Sequence, residues 1–252
     1  YFSVTSSNTT AVDFDANDEM KLTPTQTEIS NISLAKKMVF ELPGFTDLTS
    51  TISETLRFNF GSWSKSGTSG SDTNSFSSGK TYLITSAVPA DEKSNIFNNS
   101  DLADANAVVS GAVFTASGNG STTAAHYKEV EKYTFTDNGS GSQQITVNGT
   151  VQTAVKQINA VAGISAKFVK TSSVGTPTYS IVITSDETGL ENGFQFSAAS
   201  GSKRWETSTV PSANSNGNSF SQLSEDAALK VNNVSVSRSS NTITDLIDGV
   251  TV

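Results

Sequence analysis

The sequence predicts a mainly β, α+β fold of nested sandwich-like β domains, with a short helix packed on a sheet. Three observations predict it. Short segments of alternating apolar and polar residues recur, clusters of Gly, Ser and Asn separate them, and Ser, Thr, Asn and Gly make up well over a third of the 252 residues. These residue types are disfavoured inside helices and common in turns. The 35% hydrophobic content, with 14 Phe, provides enough apolar mass for a core.

Alternating patterns predict the strands. In chain order they are Tyr1–Thr5, Ala11–Asp15, Thr55–Phe60, Thr81–Thr85, Ala112–Ala116, Lys132–Thr136, Gln144–Asn148, Ser165–Lys170, Tyr179–Thr184, Phe194–Ser197 and Leu229–Ser237. Turn clusters at 66–71, 117–120, 138–141 and 212–219 lie between them. Short strands with such loops are typical of sandwiches and irregular antiparallel sheets.

Two segments have helical signals. Val151, Val155 and Ile158 recur at helical spacing after a capping Thr150, and Gly163 follows beyond the end. We expect these apolar residues to face one sheet, with the polar ones outward; the sheet strands would be Gln144–Asn148, Ala166–Lys170 and Tyr179–Thr184, and the outward residues Gln152, Lys156 and Gln157. A second helix is predicted over Ser100–Val109, since a capping serine precedes acidic residues in the first turn.

Charge and composition exclude several classes of function. The net charge of −8 opposes binding to nucleic acid or to an anionic membrane. The chain has no cysteine, so it has no disulfide, thiolate metal site or cysteine nucleophile. No apolar run reaches about 18 residues, so we expect no membrane insertion. The start at Tyr1, without Met or a signal peptide, is interpreted as that of a fragment of a longer protein.

No residue is assigned a catalytic, cofactor-binding or metal-binding role, and we expect a protein that is not an enzyme and has no cofactor. His126 is the one histidine, and from this count we expect neither a catalytic triad nor a two-histidine metal site; we expect the residue to lie exposed in a loop or at a strand edge. Residues 13–19 begin like a calcium loop, but Asp18 replaces the turn glycine and Pro24 replaces the bidentate Glu. Trp63 and Trp205 are interpreted as core or junction residues rather than carbohydrate platforms.

Residues 143–196 carry a specific pattern. A strand ending in Asn148-Gly149 precedes a helix that contains Ile158-Asn159-Ala160, and Gly163-Ile164-Ser165-Ala166 opens the next strand. A further strand ends near Thr188-Gly189. This order resembles the repeat of flagellin and hook-associated proteins, in which the helix covers one face of a small sheet.

The C-terminal segment narrows the resemblance. Residues 228–252, with Val231-Asn232-Asn233 and the run from Arg238 to Asp245 before Gly249-Val250-Thr251, look like the return segment of the hook-associated protein 2 family, which caps bacterial flagellar filaments. Asn233 takes the usual Gly position, and both residue types tolerate left-handed backbone. Residues 2–12 and 32–35 look like the entry into the same domain. Residues 61–142 lie outside the resemblance.

The resemblance implies nested domains. We expect residues 1–50 plus 222–252 to form an inner plate domain, and residues 51–62 plus 143–221 to form an outer domain. Residues 63–142 would add a distal folded unit, tethered by the Gly/Ser run 64–79. Its apolar side chains are too many for a structureless loop.

The function that the resemblance implies is structural: a cap at the tip of the flagellar filament that promotes flagellin folding and insertion. The implied partners are flagellin subunits and further copies of the protein in a ring. The implied location is extracellular, at the tip, after secretion through the flagellar export apparatus; helical legs would lie outside this sequence. An alternative is a surface adhesin whose distal domain binds host glycans or proteins.

Overall fold

The structure is a computed structural model that describes residues 15–16, 27–172, 175–247 and 250–252. The predicted strand Tyr1–Thr5, most of Ala11–Asp15 and the calcium-like segment therefore lie outside the described residues. The strands are β1 (Asp15–Ala16), β2 (Ile29–Ser33), β3 (Val39–Phe45), β4 (Thr51–Ser66), β5 (Asp72–Thr73), β6 (Ser75–Phe76), β7 (Thr81–Ile84), β8 (Val113–Thr115), β9 (Gly120–Ser121), β10 (Tyr127–Glu129), β11 (Lys132–Asp137), β12 (Gln143–Thr150), β13 (Ile164–Ser172), β14 (Thr178–Ser185), β15 (Gly193–Ala198), β16 (Ser219–Gln222), β17 (Ala227–Val231), β18 (Val234–Arg238) and β19 (Val250–Thr251). The helices are α1 (Ala90–Asn98) and α2 (Val151–Ile158). The mainly β class is confirmed.

The predicted strands from Thr55–Phe60 to Phe194–Ser197 coincide with observed ones. The prediction of a single strand over Leu229–Ser237 is wrong, because this segment is the hairpin β17–β18. Asn232 and Asn233 form its two-residue turn with φ of 48° and 66°. A turn of two residues with left-handed backbone has a twist that matches the twist of the paired strands. Asn adopts left-handed backbone more readily than most other residues with a side chain.

The helix predicted at Ser100–Val109 is also wrong. The helix of this region is α1, which begins after Pro89 and carries Asp91 and Glu92 in its first turn. Within 100–109, side chains bind backbone groups and hold turns instead: the Asp101 carboxylate accepts the Thr115 N–H at 2.6 Å. The Asp104 carboxylate caps a single 3₁₀ turn. Such local hydrogen bonds compete with helix formation.

Two sheets enclose the larger core. One has the order β13-β14-β3-β16, and the other contains β4 with β12 and β11 along one edge and β15 along the other. Aromatic side chains from the two sheets meet between them: Phe40 of β3 lies 5.8 Å from Phe196 of β15, and Trp63 of β4 lies 4.8 Å from Phe220 of β16, measured between ring centroids. The arrangement is a β-sandwich with α2 packed beside it.

Strand β3 lies before the predicted domain boundary at residue 50 but belongs to the larger sandwich. It pairs with β14 and β16, and Met38, Phe40 and Leu42 are fully buried in the larger core. The prediction placed residues 1–50 in an inner domain because residues 2–12 and 32–35 resemble the family's entry into that domain. The inner sheet that the structure describes is β18-β17-β2, and the short pair β1–β19 joins the two ends of the described chain.

Helix α2 confirms the predicted phase for its apolar residues and for the exposed Gln152 and Lys156, whereas the predicted outward Gln157 is half-buried. Val151, Val155 and Ile158 are buried, and the Thr150 hydroxyl accepts the Thr153 N–H at 3.2 Å as the N-cap. The expected single sheet beneath it is wrong: β12 belongs to one layer, whereas β13 and β14 belong to the other. α2 directly follows β12 and contacts β13, so it closes the side of the sandwich where the two layers meet.

The end of α2 is fixed by Asn159. Its side chain accepts the N–H of Ala166 at 2.6 Å and donates to the carbonyl of the same residue at 3.0 Å. The amide thus pairs with the edge of β13 as another strand would. Gly163 lies between them with φ of 93°, a backbone that favours glycine. This gives a physical reason for the Ile-Asn-Ala and Gly-Ile-Ser-Ala pattern.

Strand β4 is the centre of a long paired ribbon. Strands β12 and β11 both run antiparallel to β4, one after the other, so that they cover β4 from Thr51 to Ser66. Between the pairs Asp137–Gly61 and Gln143–Phe58, the five residues 138–142 stand opposite the two residues 59 and 60. These five residues form an inserted bulge with left-handed glycines at 139 and 141.

No helix in the described part of the chain has the length and apolar character that crossing a bilayer requires.

Candidate functional site

The ribbon carries a separate folded unit at its end. Its last pair joins Ser66 to Lys132, and residues 67–131, called the distal unit here, lie between them. The distal unit contains a sheet of order β5-β10-β7-β8, the pair β6–β9 and helix α1. Trp63, Tyr133 and Phe135, which the predicted range 63–142 includes, pack in the larger core instead. The sheets of the distal unit begin after Ser66 and end before Lys132, within the predicted range 63–142.

An aromatic cluster forms the core of the distal unit. Tyr82 stacks on Phe114 with ring centroids 5.4 Å apart, and Phe76 meets both Phe114 and Tyr127 edge to face at 5.6 and 5.5 Å. Ile96 of α1 is fully buried against this cluster. Stacked and edge-to-face rings stabilise beyond the area that they bury. The distal unit therefore has a hydrophobic core of its own.

Ion pairs lie at the base of the distal unit. Lys80 Nζ lies 2.7 Å from Glu129 Oε2, while Glu129 Oε1 accepts the Thr68 N–H at 3.3 Å. The hydrogen bond from Lys80 lowers the pKa of Glu129, and the same bond raises the pKa of Lys80. Both groups therefore stay charged at neutral pH, and they join strands β7 and β10 to the chain that leaves the ribbon.

A second group of charged side chains lies where the ribbon meets the distal unit. Glu131 accepts the Tyr133 hydroxyl at 2.8 Å and lies 3.1 Å from Lys65 Nζ. Burial, and then the hydrogen bond to Glu131, raise the pKa of Tyr133, so its phenol remains a donor at any physiological pH. These contacts anchor the returning chain before it pairs with β4.

His126 is not exposed, contrary to the expectation. It directly precedes β10, an inner strand of the sheet, and its side chain is only 12% exposed. Nδ1 lies 2.9 Å from Ser86 Oγ, and Nε2 lies 3.8 Å from Glu92 Oε2. The histidine is covered because α1, which the sequence interpretation missed, brings Glu92 over the ring. The Pro89-Ala90-Asp91-Glu92 run, a helix start with acidic first-turn residues, is the signal that could have found it.

Ser86, His126 and Glu92 are arranged like the nucleophile, base and acid of a catalytic triad. A triad needs only one histidine, so the histidine count does not exclude a triad here. Acyl transfer also needs N–H donors aimed at the developing oxyanion. Here the backbone N–H groups of Thr85 and Ser86 both donate to the carbonyl of His126, at 2.8 and 3.4 Å. The Ser86 N–H is thus committed to a backbone contact between the ends of β7 and β10. The three side chains join α1 to the sheet.

The two tryptophans are core residues, as predicted. Trp63 is 3% exposed and donates its Nε1–H to the Phe194 carbonyl at 2.8 Å. Trp205 is buried against Phe45, whose ring also lies 3.6 Å from the Arg204 guanidinium carbon. Neither ring is available as a carbohydrate platform. Among the described residues, no group of three or more His, Asp or Glu side chains could hold a metal ion.

Comparison with known proteins identifies relatives from bacterial flagella. The chain is 40% identical over 89 residues to flagellar hook-associated protein 2 of Escherichia coli O157:H7 and to that of Escherichia coli strain K12. The match covers 34% of this chain and 18% of each relative, so less than a fifth of those proteins is represented. No family model matches the chain.

Solved structures match over nearly the whole chain. The D2-D3 domains of the flagellar cap protein FliD from Escherichia coli align over 96% of this chain and 86% of that one, with a TM-score of 0.55 and 18% identity. The corresponding domains from Serratia marcescens align over 96% and 90%, with a TM-score of 0.52 and 14% identity. The resemblance is thereby confirmed: the chain is similar to hook-associated protein 2 and has the fold of the D2-D3 domains of flagellar cap proteins.

Proposed function

We propose that this chain is the outer part of a protein that caps the bacterial flagellar filament and promotes the folding and insertion of flagellin. The observation that carries the proposal is the 40% identity to hook-associated protein 2, supported by the D2-D3 fold over 96% of the chain. The partners in this proposal are flagellin subunits and further copies of the same protein in a ring. The location is outside the cell at the filament tip, reached through the flagellar export apparatus.

The architecture suits a structural role. The larger sandwich is closed by interlocking aromatic and aliphatic side chains, and the paired strands β4 and β11, rather than a loose linker, connect it to the distal unit. A ring of identical copies requires two different faces of the chain to meet. Rigid elements fix the positions of such faces.

We also propose a nested domain division that follows the sheets. The inner domain comprises residues 27–36 with 225–252, the larger sandwich comprises 37–66 with 132–224, and the distal unit comprises 67–131. Strand β3 supports the first boundary, since it pairs with β14 and β16 rather than with β2. The Ser66–Lys132 pair supports the second.

Deletion and complementation test the capping proposal. A strain that lacks the gene for the full-length protein should have few or no filaments and should lose unpolymerised flagellin to the medium, because nothing retains subunits at the tip. The full-length gene should restore filaments. Control strains should carry the full-length gene with an exposed substitution such as Gln152→Ala. Filaments of normal number and length in the deletion strain would refute the proposal.

The adhesin alternative has no observation in its favour. None of the relatives reported above is described as an adhesin, and the two tryptophans that could have stacked on a sugar are buried. The relatives are cap and hook-associated proteins, which agrees with a structural rather than an enzymatic role for this chain.

A further inference from the structure

Asparagine is followed directly by glycine at five positions of the chain: Asn119, Asn138, Asn148, Asn192 and Asn216. In such a pair the backbone nitrogen of the glycine can attack the side-chain carbonyl of the asparagine, because glycine has no side chain to hinder the approach. The attack closes a succinimide ring and releases ammonia. Whether it occurs in a folded protein depends on how the fold orients the two groups.

The fold does not favour this reaction at four of the pairs. Gly120, Gly149 and Gly193 lie in the paired strands β9, β12 and β15, so closing the ring there would distort a strand that its neighbours hold. Gly217 lies outside the strands, but its N–H donates to the Asn214 carbonyl at 3.0 Å. A carbonyl is too weak a base to take up an amide proton.

The pair Asn138-Gly139 lies instead in the bulge of the ribbon, where residues 138–142 are all exposed. Gly139 has a φ of 79°, and a Cβ at this position would meet nothing within 4 Å, so water can reach it. Asn138 Oδ1 accepts the Ser140 N–H at 3.0 Å. This hydrogen bond closes a ring of atoms that contains the Gly139 nitrogen, so it holds the side-chain carbonyl beside that nitrogen.

Asp137 supplies a base at the same place. Its Oδ1 accepts the Gly139 N–H at 2.6 Å, a distance that suits a general base and the proton that it removes. The Ser140 N–H, already bonded to Asn138 Oδ1, can stabilise the negative charge that develops on this oxygen during the attack. Base, electrophile and nucleophile thus belong to three consecutive residues.

We propose that Asn138-Gly139 is a self-modification site, at which Asp137 promotes conversion of the asparagine to aspartate or isoaspartate. The Gly139 nitrogen forms a bond to Asn138 Cγ while its proton passes to the Asp137 carboxylate. The bond from Cγ to the side-chain nitrogen then breaks, and that nitrogen takes the proton from Asp137 and leaves as ammonia. Water opens the imide at either carbonyl. The net change converts amide and water to carboxylic acid and ammonia, and Asp137 is regenerated.

The conversion changes how the bulge is held. Asn138 Nδ2 donates to the Glu191 carbonyl at 3.3 Å, in the turn before β15. A carboxylate has no proton to donate, so this contact is lost and a negative charge is added to the exposed bulge. Isoaspartate also places the side-chain methylene in the main chain, next to the N–H that Asn138 donates to the Phe60 carbonyl at 3.0 Å. The modification therefore loosens the bulge from both neighbouring segments.

Peptide mapping by mass spectrometry tests the site. The chain should be incubated at neutral pH in buffer and, in parallel, in a urea concentration that unfolds it. In the folded chain, we expect Asn138 to convert about ten-fold or more faster than the asparagine of any other Asn-Gly pair. In urea the five rates should converge, because the geometry is lost. Equal rates in the folded chain, faster conversion at another pair, or an undiminished preference for Asn138 in urea would overturn the proposal.

One variant and a matched control test the base. Asp137→Asn keeps an oxygen that can accept the Gly139 N–H but cannot take up its proton, so it should slow the conversion of Asn138 about ten-fold. Glu191→Gln removes the same charge from the neighbouring segment and leaves its backbone carbonyl in place, so it should leave the rate nearly unchanged. Fragment masses assign each conversion to position 137 or 138. An unchanged rate in Asp137→Asn, or an equal loss in Glu191→Gln, would overturn the proposal.

Discussion

The larger core and the distal core differ in how the chain supplies them. The larger core takes its residues from segments between Met38 and Trp205 that are far apart in sequence, whereas the distal core takes all of its residues from the continuous stretch between Phe76 and Tyr127. Contacts between distant segments form only after long loops close, but contacts within one stretch do not need the rest of the chain. The comparison indicates that the distal unit can fold without the sandwich. The sandwich, in contrast, folds only when the chain segments on the two sides of the distal unit come together.

Gly61 offers the sharpest way to break the larger core alone. It faces Asp137 on one edge of β4 and Gly193 on the other, and a Cβ at this position would lie 2.0 Å from the Thr136 carbonyl oxygen. Gly61→Ala should therefore destabilise the sandwich by more than the ~1 to 3 kcal/mol that is typical of an overpacked core position, since backbone rather than a side chain must move to admit the methyl group. Calorimetry should show the sandwich transition lost or greatly lowered and the distal transition retained. Ser62→Ala, one residue along, should change little.

Phe114→Ala makes the converse test. The ring is fully buried and contacts three other aromatic rings in the distal core. Its removal should cost about 3 to 5 kcal/mol. We expect the distal transition to move to a lower temperature while the sandwich transition stays in place. If both transitions fall together, the two cores do not fold independently.

Ile158→Ala sharpens the comparison from the side of the sandwich. Ile158 is fully buried under α2, and its truncation should cost about 2 to 5 kcal/mol. The exposed Gln152 on the same helix provides the matched control, because Gln152→Ala removes no core contact. Thermal unfolding followed by circular dichroism should separate the two variants. Equal midpoints would contradict the assigned face of α2.

Glu129→Gln should have the smallest effect. It removes the ion pair with Lys80 but keeps an oxygen that can accept the Thr68 N–H. An ion pair near the surface contributes little, so the distal midpoint should fall by no more than about 4 °C. The difference from the unmodified chain should shrink in high salt, which screens the pair. A loss as large as that of Phe114→Ala would mean that charge rather than packing holds the unit.

The sequence predicted the parts of the fold that local patterns determine. The phase and cap of α2 follow from the spacing of Val151, Val155 and Ile158 after Thr150, and most strands show their alternation directly. Strand β3 was missed because Pro43 and Gly44 interrupt its pattern; burial on the sandwich stabilises it through pairing with β14 and β16. The turn at Asn232-Asn233 has the residues of a hairpin, but alternation continues across it and conceals the reversal.

The polar cluster at His126 could not be predicted from the sequence. Ser86, Glu92 and His126 lie on separate segments that only the tertiary fold brings together. The signals for α1 were present in Pro89 and the acidic residues after it, yet the stronger pattern of Ser100 and Asp101 favoured a helix ten residues later. Side chains that bind backbone N–H groups made that second segment a set of turns.

Immunogold electron microscopy tests the central claim most directly. Antibodies raised against the distal unit, residues 67–131, should be applied to intact cells that express the full-length protein from its own gene, with the deletion strain as the control. If the chain is the outer part of a filament cap, a single cluster of gold should lie at the free end of each filament, and none should lie along the shaft. Label distributed along the filaments or over the cell body, with bare tips, would contradict the capping function.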